Sequence, residues 1–264
     1  MLANKAFILK FSVFLIVFFL NVGPIQANEK DAEDKESITA IAKIYQASMA
    51  YIFHQQSLIN SHNRVKGELF GQHFIDKVQN TYNEMFNQPF PERDKHVSNL
   101  LMLMMLVMED NRTLILDDDI GFKGFIPAIF AFQLSQKYKE RGMGLNIKFT
   151  NAEQRVRNKL NSPDYWEKNA IAALADGITE EVFDKNASYE GKPALRYMRA
   201  VEMTIMCLNC HGALQDNPTN KGRKKEHWQH KDKTGFLMEG WKLSELGGGI
   251  SVVLYQRARN AYEK

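Results

Sequence analysis

The residues with the clearest chemistry are Cys207-Leu208-Asn209-Cys210-His211, followed by Gly212. They hold two thiols separated by two residues, with an imidazole immediately after the second. The chain has 2 cysteines in 264 residues, and both are here. A disulfide between them would close a very small loop and constrain little of the unfolded chain. Thiols at this spacing reach the two vinyl groups of one haem as thioethers, and the next imidazole reaches the iron. That is the attachment pattern of c-type haem. The expectation is one covalent haem c anchored at Cys207 and Cys210, with His211 as the proximal iron ligand. Two other chemistries use Cys-x-x-Cys. A redox dithiol usually opens a helix in a βαβ unit, and here the motif follows a strand-rich stretch. Structural zinc would add His227 and His230, sixteen residues further on. That pair is more tightly spaced than usual for zinc, and His211 would then have no task.

The N-terminus bears on which chemistry applies. Lys5 and Lys10 precede an apolar run from Phe11 to Leu20, then Gly23, Pro24 and Ala27. This is the order of a secretory signal peptide. The run is short for a bilayer span, which needs roughly 20 residues. Residues 1–27 are therefore expected to be a leader, and the mature chain periplasmic, where haem of this type is attached. The alternative is an uncleaved N-terminal anchor, the sole route to a membrane. Without the leader's two lysines the net charge falls from +3 to +1. A nearly neutral chain gives no case for nucleic acid, and Lys221 to Lys225 reads as a solvated loop. No nucleophile–base constellation or carboxylate pair marks an enzyme.

Several elements must position the motif. Apolar spacing predicts helices over about 36–60, 72–86 and 95–108, with Pro89 and Pro91 breaking the second. The run Leu100 to Met108 reads as a buried helix, its methionines as core filler. A helix opens at Pro127 and ends at Gly142. Leu145, Ile147 and Phe149 alternate as a strand. Ser162 is expected to cap a helix beginning Pro163-Asp164 and running to Leu174. Strands follow at 182–184 and 195–203, joined by a loop over NASYEGK, with a closing strand at 250–255. Helices first and short antiparallel strands later argue an α+β fold.

Residues Arg157 to Glu167, RNKLNSPDYWE, resemble the Arg-Asn-Pro-x-Asn-x-Pro-x-x-Trp-Glu motif of a haem c family with a PAS-like fold, the family known as domain of unknown function 3365. Phe125 to Ala128, Cys207 to Gly212 and Gly247 to Val253 extend the resemblance. It implies a PAS-like antiparallel sheet with packed helices and an N-terminal helical extension, here residues 28–115 before a haem domain at 116–264. Some members use an upstream cysteine as the second axial ligand. This chain has Gly121 to Lys123 there, and Lys159 stands where the family has proline. The sixth ligand stays open among Met, His, Lys123, water or none. Arg157 is a candidate partner for a haem propionate, since a guanidinium matches a carboxylate's two oxygens. Two protein ligands on the iron would favour electron transfer or redox sensing with a redox partner protein. An open sixth site would favour a gas- or ligand-binding haem sensor working with a membrane signalling partner.

Overall fold

The computed structural model describes residues 23–62 and 64–256, with side chains from residue 29 onward. The first 22 residues of the expected leader lie outside the described residues. Among the described residues there are eight α-helices and four strands: α1 (Gly23–His54), α2 (Gln56–Ile59), α3 (Gly71–Phe86), α4 (Lys95–Asp110), α5 (Arg112–Leu116), α6 (Pro127–Arg141), β1 (Leu145–Thr150), α7 (Tyr165–Ala175), β2 (Glu181–Tyr189), β3 (Lys192–Glu202), α8 (Ile205–His211) and β4 (Leu246–Tyr255). This is an α+β fold.

Local chemistry sets the boundaries. The Asp94 carboxylate accepts from the backbone N–H groups of His96 and Val97 at 2.7 and 3.0 Å, capping α4. Pro127 sits in the first turn of α6, and Gly142 ends that helix in the left-handed region at φ 58°. Glu190 and Gly191 both have positive φ, 50° and 74°. Such a two-residue turn matches the twist of paired strands and closes the β2–β3 hairpin. Most of NASYEGK is therefore strand rather than the expected loop. Ser162 is not the cap of α7. That role belongs to Asp164, whose carboxylate accepts from Glu167 N–H while Glu167 accepts from Asp164 N–H. Only Asp164 stands where its side chain meets the third N–H of the helix.

The sheet is antiparallel throughout, in the order β1-β4-β3-β2. Strand alternation separates its two faces. On one face Leu145, Ile147, Leu195, Tyr197, Ile250, Val252 and Leu254 share a core with Ile41 and Tyr45 of α1, Phe74 of α3, Met104 of α4 and Phe130 of α6. The helical N-terminal region thus packs directly on the sheet. Leu100, Leu103, Met104, Val107 and Met108 are fully buried there. Among the described residues no helix is long and apolar enough to cross a membrane. On the other face α7 packs Ala170, Ile171 and Leu174 against Met198. The glycine run of β4 lets these layers meet, since a Cβ at Gly249 would lie 2.5 Å from Met198 Sδ and one at Gly248 2.6 Å from the Thr150 carbonyl.

A buried charge cluster pins α7 to the sheet. Arg196 of β3 lies 2.7 Å from Asp164 and 3.5 Å from Glu167, and Lys148 of β1 lies 2.8 Å from Glu167. Lys148 and Thr150 also donate to the carbonyls of Ser162 and Asn161. These bonds tie the segment before α7 to the end of β1 and fix where Arg157 emerges. Replacing Glu167 by Ala strands buried cations and removes half the capping box. The expected loss is about 3–5 kcal/mol in urea unfolding. A loss under about 1 kcal/mol, the usual surface value, would contradict the cluster's role.

Candidate functional site

Cys207, Cys210 and His211 lie together on α8, a seven-residue helix with no buried residue. Nothing in its pattern is amphipathic, so no helical period marks it in the sequence. One helical turn brings both thiols to the same side, and the last residue carries the imidazole. Both cysteines are free thiols and partly buried. Burial pushes the Cys210 thiol above its ordinary value, with the Asp232 carboxylate adding to the effect.

Other segments hold this turn in place. The carbonyls of His211 and Gly212 accept from the backbone N–H groups of Trp241 and Gly240 at 2.9 and 3.0 Å. Met203, just before the helix, exchanges backbone bonds with Glu245 and Ser244. The Trp241 ring lies 5.7 Å from the His211 ring, tilted by 47°. Gly212 is needed for space, because a Cβ there would stand 2.5 Å from the Asp216 carboxylate and 2.7 Å from the Leu208 carbonyl.

Arg157 sits behind the motif. Its Nη1 donates to Asp232 at 2.6 Å, and its Nε and Nη2 grip Glu239 in a bidentate pair at 2.6 and 2.8 Å. Nη2 also donates to the Cys210 carbonyl at 3.0 Å and to the Leu237 carbonyl at 3.3 Å. Phe236 lies against the guanidinium, 5.0 Å from its centre. This guanidinium, the expected partner of a haem propionate, pairs here with two protein carboxylates and holds the Cys210 carbonyl of α8.

Glu239 completes the arrangement. Its carboxylate accepts from His211 Nδ1 at 3.0 Å. An ionised carboxylate only accepts, so Nδ1 carries the hydrogen of this bond and Nε2 is the ring nitrogen left for a ligand. Burial opposes ionisation of Glu239, but the bonds from His211 and Arg157 outweigh it and hold the carboxyl below its usual range. Asp232 behaves alike: burial opposes, and Thr234 and Arg157 prevail. Asp232 also organises the 232–236 turn by accepting from Thr234 and Phe236.

The donor set suits a c-type haem: two thiols free of a disulfide on one turn, and an imidazole whose Nδ1 is engaged by Glu239. A polar cleft of about 530 Å³ lies beside Arg157, Glu239 and Trp241, bounded further by Arg155 and Glu245. The zinc alternative is not assembled. His227 and His230 are exposed, and among the described residues no group of three or more His, Cys, Asp or Glu stands close enough to hold a metal ion. Two of the candidate sixth ligands upstream have partners of their own. His62 Nδ1 meets the Asp118 carbonyl, and the buried Lys123 donates to the Ile120 carbonyl.

Glu239 and Asp232 were not found from sequence. Asp232-Lys233-Thr234-Gly235 is a turn signal, but nothing local marks Glu239, which lies far along the chain from His211.

The model of the Tll0287-like family matches residues 26–254. A solved structure described as the crystal structure of the cyanobacterial haem protein Tll0287 is similar at 16% identity, covering 63% of this chain and 96% of that one, with a TM-score of 0.34. No curated protein matches the chain.

The lowered carboxyls of Asp232 and Glu239 make a pH prediction. Such groups stabilise the fold above their unfolded values and lose that contribution as pH falls through their folded values, so stability should decline below about pH 4. Arg157→Ala strands Asp232 and should cost about 3–5 kcal/mol at neutral pH. The cost should shrink once the carboxyls are protonated. Urea unfolding of both chains across a pH series checks this, and an equal cost at pH 7 and at about pH 3 would contradict it.

Proposed function

The chain belongs to the Tll0287-like family, and we propose that it is an exported mono-haem c-type protein acting in periplasmic electron transfer or redox sensing. Cys207 and Cys210 would hold the haem as thioethers and His211 would be the proximal ligand. The observation that carries this reading is the state of the motif: free thiols on one turn of α8, with Nδ1 of His211 already bonded to Glu239. The iron-facing nitrogen is thereby oriented within the fold of the chain itself.

Two further points support the reading. The segment Arg157 to Glu167, which resembles the haem c motif, reaches the cysteine turn through the Arg157–Cys210 bond. Apolar side chains stand exposed on and around that turn, with Ile205 72% and Leu237 64% accessible. A bound haem offers them an apolar surface to cover. When bound, haem supplies a one-electron couple. The residues around it would anchor it and present one ligand. The Lys-flanked apolar leader supports export to the compartment in which such haem is attached.

Expression with c-type maturation should give a chain whose intact mass carries one covalent haem, with a Soret band. The Cys207→Ser, Cys210→Ser chain should lose the covalent increment. A wild-type chain of unmodified mass and no Soret band would refute the proposal. Carbon monoxide added to the reduced protein separates the two roles. No spectral change fits two protein ligands and electron transfer, and a rapid shift moves the reading to gas or ligand sensing with a membrane partner.

A further inference from the structure

We propose that Glu239 is a positioning residue for His211, and that its negative charge, delivered through the Nδ1–H bond, holds the reduction potential of the bound haem low. This deepens the haem reading and rests on it. The geometry is specific. Glu239 Oε2 accepts from His211 Nδ1–H at 3.0 Å, while Arg157 clamps the same carboxylate through two bonds at 2.6 and 2.8 Å. Arg157 is itself anchored by Asp232, whose side chain is fully buried. The carboxylate therefore cannot swing away from the imidazole without breaking a charged pair. A metal-ligating histidine commonly gives its other N–H to a carboxylate, which fixes ring orientation and raises ligand basicity. A more basic ligand and an added negative charge both favour the ferric over the ferrous state. The carbonyl of His211 is held as well, by Trp241 N–H at 2.9 Å. Backbone and ring are thus fixed from opposite ends of one short segment, 239–241.

The test is potentiometry of the haem-loaded full chain and its Glu239 variants. Glu239→Gln keeps a hydrogen-bond acceptor and removes the charge. Its potential should rise by the equivalent of a tenfold or greater shift toward the reduced form, about 59 mV for one electron. Glu239→Asp keeps the charge and should lie closer to wild type than Gln does. Equal potentials for wild type and Gln, or a fall in Gln, overturn the inference. A wild-type chain that carries no haem overturns the haem reading instead, so the two failures are distinct. If Glu239→Gln does not mature, ring ¹⁵N spectra of the haem-free Cys207→Ser, Cys210→Ser chain decide. Taken at about pH 8.5, above the ordinary histidine range, they should show the proton on Nδ1 of His211. A proton on Nε2 would overturn the inference.

Discussion

The Arg157 guanidinium is the interaction on which the site depends. It joins three segments with no covalent relation: the stretch between β1 and α7, the cysteine turn, and the 232–239 hairpin. Its weight comes from the pairing of charge with burial. Asp232 and Arg157 would each be costly in that environment alone, and each makes the other tolerable. Arginine suits the position because its planar fork serves a bidentate carboxylate and backbone carbonyls at once, which a lysine ammonium does not. The same logic recurs at Arg196, where Asp164, Glu167 and Trp166 surround a buried cation on the sheet. One arginine fixes the α7 segment to the sheet, and the other fixes that segment to the cysteine turn.

This arrangement explains how a short, half-buried helix can present ligands with precision. α8 has no buried face to lock it by packing. Its carbonyls are held instead, by Arg157, Trp241 and Gly240, and its histidine ring is held by Glu239. The large core between sheet and N-terminal helices contributes at a distance, by making β1 and β4 a rigid frame from which these segments leave.

What the sequence showed and what it hid follow from the range of the interactions. The cysteine–histidine motif was legible because attachment chemistry needs its three residues within one turn. Helices α3, α4 and α6 were legible because caps, prolines and apolar spacing are local. The length of β2 was not, because an edge strand with a bulge between Asp184 and Ala187 exposes polar residues that read as loop. The cap of α7 was misplaced by two residues, since Ser162 and Asp164 are both competent by type and only geometry chooses between them. Arg157 was singled out, but its partners were not. Asp232 and Glu239 are brought to it by tertiary folding, with no period or spacing that points back to residue 157.

On the proposed reading one iron would be bound by Nε2 of His211, beside the two cysteine sulfurs, with Glu239 on the Nδ1 side of the ring. Anomalous diffraction at the iron edge from crystals of the matured protein checks this arrangement. The expected result is a single iron peak in bonding contact with His211 Nε2, with both sulfurs in thioether linkage and Nδ1 still on the Glu239 carboxylate. An iron peak away from His211, or an imidazole turned so that Nδ1 meets the iron, would contradict it.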